Sequence, residues 1–126
     1  MFERKLSNIL AALILGLMFI LAVASSWNDA AIMDESPHVV SGYSYIKYKD
    51  MRLNPEHPPL IKDLAGLPLQ FLGLNFPDQG PEWKDNLNDQ WVMGTKFLYE
   101  SGNDPDKIIF WGRMGPIFVM LLLGFY

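Results

Sequence analysis

ILAALILGLMFILAVA, residues Ile9 to Ala24, contains no charged or strongly hydrogen-bonding side chain. With the small polar flanks Ser7, Asn8, Ser25 and Ser26, the run approaches the roughly 20 residues a helix needs to cross about 30 Å of hydrocarbon. Arg4 and Lys5 precede it, and the next basic residue is Lys47. The positive-inside rule therefore puts the N-terminus in the cytoplasm and the following segment outside. Trp27 suits the far interface, where an indole keeps its ring in the apolar layer and its N–H in water. A cleaved signal peptide is the rival reading, with Ala22-Val23-Ala24 as a small-residue cleavage site. The length of the run favours a retained helix.

A second apolar stretch, Ile108 to Tyr126, is still apolar where the sequence stops. Asp104-Pro105-Asp106 supplies its start, with Asp104 as cap and Pro105 in the first turn. Gly112, Gly115 and Gly124 are residue types that let membrane helices approach closely. The fold expected is an all-α membrane protein. Residues 1–27 form the cytoplasmic N-terminus and first transmembrane helix, 28–106 an extracytoplasmic loop with amphipathic helices, and 107–126 the truncated beginning of a second transmembrane helix. The open apolar end reads as the N-terminal part of a longer chain.

The 126 residues suffice for about one domain. A net charge of −4 without a basic stripe argues against a nucleic-acid partner. The sequence contains no cysteine, which excludes disulfides, iron–sulfur clusters and cysteine-based zinc sites.

Within the loop, Pro37–Tyr48 is expected as a helix, with Ser36 as cap and Pro37 at the first helical position. Asp50–Pro59 is expected to be extended, because each proline disfavours helix in the residue before it. Pro59–Leu72 reads as a second helix with Leu60, Ile61, Leu64, Leu67 and Phe71 on an apolar face, and Pro68 kinking or ending it. That broad face suits a helix lying on the membrane surface. Asn75–Asn86 reads as loop, and Asn88–Tyr99 as a third amphipathic helix closed by Gly102.

The chemistry-bearing residues fall in two places. Asp34 and Glu35 follow the first span, and Asp34 lies one helical turn from His38. A carboxylate and an imidazole so spaced can share a metal or form an acid–base pair, but Asp-Glu before Ser-Pro is also an ordinary helix-start pattern. In Asn54-Pro55-Glu56-His57-Pro58-Pro59-Leu60-Ile61-Lys62, the double proline removes two N–H donors and stiffens the backbone. Such a brace can pre-organise Glu56 and His57, or serve only as a rigid connector. Lys62 reads as a snorkelling lysine or a phosphate-binding cation. Arg113, the one charge inside the second apolar segment, has the same two readings.

Asp34-Glu35-Ser36-Pro37-His38, Gly42-Tyr43-Ser44-Tyr45 and Arg52 through Lys62 resemble the opening of polyprenyl-phosphate-dependent glycosyltransferases of the GT-C superfamily, which include the protein O-mannosyltransferases and the aminoarabinose transferases. The resemblance implies a transferase moving a sugar from a polyprenyl-phosphate carrier to a protein, glycan or lipid acceptor on the outer face of a bilayer; the lack of a long polar stretch before the first span points to a bacterial plasma membrane rather than the endoplasmic reticulum. It implies a catalytic role for Asp34 with Glu35 beside it, and substrate or phosphate contacts from His57, Lys62 and Arg113. It also implies a divalent metal ion near Glu56, and His38 is the second metal candidate from its spacing to Asp34. Members of that family have many more spans than this sequence contains, so the donor site is not complete in it. The competing class is a membrane-anchored binding module without enzymatic activity.

Overall fold

The computed structural model describes residues 2–126, with side chains from Arg4 onward; the first residue of the expected 1–27 segment lies outside the described residues. The elements are α1 (Phe2–Ser26), α2 (Glu35–Tyr48), α3 (Pro59–Leu69), α4 (Pro81–Lys84), α5 (Gln90–Thr95), which runs on as a π-helical turn (Lys96–Glu100), and α6 (Pro105–Phe125). The described residues form no strand. Two helices, Arg4–Ser26 within α1 and Pro105–Phe125, are long and apolar enough to cross a membrane.

Several boundaries move for local reasons. The second helix of the fold begins at Glu35 rather than Pro37, so Ser36 lies inside it and no side chain caps it. A closed turn starts it early: the Glu35 N–H donates to the Ile32 carbonyl (3.0 Å), and the Ile32 N–H donates to the Glu35 carboxylate (3.0 Å). The third helix stops at Leu69 because Pro68 has no N–H to continue the ladder. Its end tightens into i→i−3 bonds from Gln70, Phe71 and Leu72. The 75–86 stretch is not all loop, since Pro81–Lys84 forms a short helix that buries Trp83. The π-helical turn is closed by side chains: Ser101 Oγ donates to the Lys96 carbonyl (2.8 Å) and Asn103 Nδ2 to that of Phe97 (2.7 Å).

The core gathers Val39, Val40 and Tyr43 from α2, Met93 from α5, Phe97 and Leu98 from the π-helical turn, and Ile108 and Ile109 from α6. Fully burying one such aliphatic or aromatic side chain stabilises by about 1.5–3 kcal/mol. Phe76 joins them from a connecting segment, its ring 5.8 Å from Tyr43, 4.9 Å from Tyr48 and 5.0 Å from Trp83. The first turns of α6 therefore belong to this helical cap, although composition alone assigns them to a membrane span.

α3 is inverted relative to an ordinary amphipathic helix. It buries Lys62, Ala65, Gly66 and Leu69, and leaves Leu60 at 67%, Ile61 at 51% and Leu67 at 51% exposure, with Phe71 just past its end at 84%. Its buried side meets α2 backbone to backbone. A Cβ on Gly42 would overlap the Lys62 carbonyl, and one on Gly66 would overlap the Gly42 carbonyl. On α6, a Cβ on Gly115 would overlap the Leu64 carbonyl. Pro68 denies that carbonyl its usual i+4 partner, so the glycine backbone packs against an acceptor left free of the helix ladder.

Gly42→Ala and Gly66→Ala should each destabilise the protein by about 1–3 kcal/mol, because the clash is with backbone that cannot swing aside. Gly16→Ala should not destabilise, since nothing lies within 4 Å of its Cβ position and alanine is the better helix former. Thermal unfolding of the detergent-solubilised variants measures the difference.

Candidate functional site

A cavity of about 720 Å³ opens between α1, α3 and α6. Ala22 and Ser25 of α1, Ile61 and Ala65 of α3, and Pro116 and Ile117 of α6 form its walls. Its polar rim holds Asp34, Glu35, His38, His57, Lys62 and Arg113. Of the seven candidate residues, only Glu56 is outside the lining.

Arg113 is held by two carboxylates. Its Nε donates to Glu35 Oε1 (2.7 Å) and its Nη2 to Glu35 Oε2 (2.8 Å), a two-point grip on one carboxylate. Its Nη1 reaches Asp29 Oδ2 (2.9 Å), and Nη2 also donates to the Ala30 carbonyl (3.1 Å). Bidentate charge-assisted geometry fixes both partners in orientation as well as in distance. The acidic pair is thereby divided. Glu35 is committed to Arg113, whereas Asp34 stands exposed on the rim with neither a hydrogen bond nor an ion pair to the described residues.

His38, one turn along α2 from Asp34, meets His57 edge to face with ring centroids 5.2 Å apart. Its Nδ1 is buried and has no partner among the described residues. Burial, then repulsion from His57 and Lys62, holds the His38 imidazole below its ordinary value of 6.5, against the opposing pull of Asp34 and Glu56. The result is an imidazole biased toward its neutral, proton-accepting form beside a free carboxylate.

The turn that presents His57 is tied from below. Lys62 is 2% exposed, and its ammonium donates to the Asn54 carbonyl (2.6 Å), Asn54 Oδ1 (3.0 Å), the His57 carbonyl (2.8 Å) and Tyr45 Oη (3.0 Å). Lys62 therefore turns inward rather than snorkelling, and burial lowers its ammonium's proton affinity. Burial also pushes the Tyr45 hydroxyl up to about 12. Asn54 holds a left-handed backbone (φ 52°), which asparagine tolerates better than most residues. Its N–H donates to Asn88 Oδ1 (3.0 Å), and its side-chain amide donates to Gln90 Oε1. Gln90 Nε2 in turn donates to Glu56 Oε1 (2.6 Å). The Glu56 backbone N–H and Gln90 hold the exposed Glu56 carboxyl below the usual glutamate range.

This geometry bears on the expected metal. Glu56 is turned to Gln90 and away from the cavity, and no three His, Asp or Glu side chains converge as a ligand set among the described residues. Residue patterns alone missed Asp29, Tyr45, Asn54 and Gln90. Only Asn54, directly before Pro55 in a proline-rich stretch, carried a local signal of a special turn.

No protein family, no curated protein sequence and no solved structure matches this chain.

In an NMR titration His38 should take up its proton below pH 6.5. His57→Gln should raise that midpoint without restoring it fully, since burial is the larger cause. In the window between the folded value and 6.5, the unfolded chain binds more protons than the folded one. The His38 contribution to stability is therefore complete above 6.5 and is lost as pH falls through that window.

Lys62→Met should cost at least about 1–3 kcal/mol, the penalty for leaving a buried acceptor unmade. Chemical denaturation measures this. If the turn also releases His57, the additional effect of His57→Gln on the His38 midpoint should vanish in the Lys62→Met background.

Proposed function

We propose that this chain is the N-terminal part of an integral-membrane glycosyltransferase that moves a sugar from a polyprenyl-phosphate carrier to an acceptor on the extracytoplasmic face. One observation carries the reading. A single cavity joins apolar walls from the two membrane-length helices to a rim where Asp34, His38 and His57 meet. A substrate that is hydrocarbon at one end and polar at the other suits such a cavity. The order of the motifs from Asp34 to Lys62, which resembles that of the GT-C enzymes, gives independent support.

In this reading Asp34 is the general base, because it is the rim carboxylate not committed to another side chain. The acceptor's hydroxyl or amine loses its proton to Asp34 as its lone pair forms a bond to the anomeric carbon. The bond from that carbon to the phosphate oxygen breaks, and the electron pair leaves with the polyprenyl phosphate. Glu35 positions Arg113, and Arg113 fixes the segment after α1 through Asp29 and Ala30. Lys62 shapes the turn that carries His57. The charge of the leaving phosphate then requires cations beyond Arg113 and Lys62, supplied by the rest of the protein. The N-terminus lies in the cytoplasm of a bacterial plasma membrane and the helical cap outside.

Asp34→Asn in the full-length protein should lower transfer of radiolabelled sugar from a polyprenyl-phosphate donor by about 10²–10⁴-fold, the usual worth of a general base. Unchanged turnover in a correctly inserted variant would remove Asp34 from the reaction.

A further inference from the structure

We propose that α5 sets the spacing between His38 and His57, and that Gln90 and Glu56 are positioning residues for that pair. The inference goes beyond the function above and rests on it only for the effect on turnover.

His57 is exposed and ends the turn Asn54-Pro55-Glu56-His57. The bond that closes such a turn, from the His57 N–H to the Asn54 carbonyl, is 3.5 Å long. A sound N–H···O bond measures about 2.7–3.2 Å, so the turn does not hold itself. Two side chains hold it instead. Lys62 grips the carbonyls of Asn54 and His57. Gln90 bridges the turn through its side chains: its Oε1 accepts from the Asn54 amide, and its Nε2 donates to Glu56 Oε1 (2.6 Å). Asn88 adds a stitch beside Gln90. Its N–H donates to the Arg52 carbonyl (3.0 Å), and its Oδ1 accepts from the Asn54 N–H (3.0 Å).

The two clamps attach the turn to different things. Lys62 belongs to α3, which follows the turn directly in sequence, so its bonds are local. Gln90 is the first residue of α5, is 5% exposed, and has both ends of its amide bonded. Its bonds therefore tie the turn to a distant element.

That element is seated on α2. A Cβ on Gly94 would overlap Ser36 Oγ and lie 3.0 Å from the Ser36 carbonyl, so α5 meets α2 at close approach two residues before His38. Gln90 and Gly94 are four residues apart on one helix and share a face. One end of that face abuts the turn of α2 that leads into His38, and the other fixes the turn that carries His57. α5 is thus a spacer between two imidazoles whose ring centroids stand 5.2 Å apart.

Glu56 is the attachment point on the His57 side. It is adjacent to His57 in sequence, lies outside the cavity lining and is held by Gln90. In this role its carboxylate serves as a hydrogen-bond acceptor, which an amide oxygen replaces. A carboxylate that acts through its charge has no such substitute.

The test uses the full-length protein in liposomes with carbon-13 in the histidine rings. Rings this close give a through-space cross peak in solid-state NMR, identified by its loss in His57→Gln. Glu56→Ala, at an exposed position that leaves the core intact, should weaken that peak strongly. Gln90→Leu should weaken it as much, and the double variant no further. Glu56→Gln should keep it. Lys96→Met breaks the Lys96–Glu82 pair (2.7 Å) in the same cap without touching the turn, and should also keep it. Sugar transfer should follow the same order, falling by up to about 10²-fold where the peak is lost, the cost of misplacing a group by about 1 Å.

An undiminished peak in Glu56→Ala or Gln90→Leu overturns the proposal. So does its loss in Lys96→Met, because any loosening of the cap then has the same effect. A Glu56→Gln variant as impaired as Glu56→Ala in either measurement overturns it too, since the carboxylate then acts by its charge. The expected pattern of cross peaks without sugar transfer by the unsubstituted protein would leave the spacer standing and the transferase reading refuted.

Discussion

An ammonium group sealed between two helices, with four oxygens within hydrogen-bond distance, is the constraint on which the rest of this structure depends. A buried cation is tolerable only where its donors are satisfied. Lys62 meets that condition by drawing in the carbonyls of Asn54 and His57, the Asn54 side chain and the Tyr45 hydroxyl. Those acceptors come from α2 and from the turn before α3, so one charge fixes the turn, the start of α3 and the α2–α3 crossing together. The position of His57 beside His38 is a consequence of that arrangement.

The cavity rim shows a division of labour among similar groups. Of two adjacent carboxylates, one is fixed by a guanidinium and one is free. Of two imidazoles, one is partly buried with an unpartnered nitrogen and the other is exposed on a braced turn. The braces, Arg113 and Lys62, are the residues whose charge seemed most available when only their neighbours in sequence were known. A cation beside an apolar run has no visible partner until folding brings carboxylates such as Asp29 and Glu35 to it.

Much of the architecture was legible because it is written in short-range terms. The two membrane-length helices follow from apolar runs, the start of α6 from Asp104-Pro105, and the end of α3 from Pro68. The Asp104 side chain does accept from the Lys107 N–H (3.2 Å), as a cap should. Asp34, Glu35, His38 and His57 line one cavity, whereas Glu56 does not. What could not be read depends on long-range partners. The place of Ile108 and Ile109 in the cap core depends on Val39 and Phe97. The inward turn of Lys62 depends on Tyr45 and Asn54. Phe76 and Trp83, in a stretch rich in proline and glycine, look like loop until the aromatic cluster around them is assembled.

The crossing at Gly42 and Gly66 has a mechanical side. Where the two helices meet backbone to backbone, no side-chain layer lies between them to absorb displacement. A shift of α3 is therefore delivered undamped to α2, the element carrying Asp34 at its start and His38 one turn in. A force on the outer surface of α3 is thereby felt at Asp34 and His38.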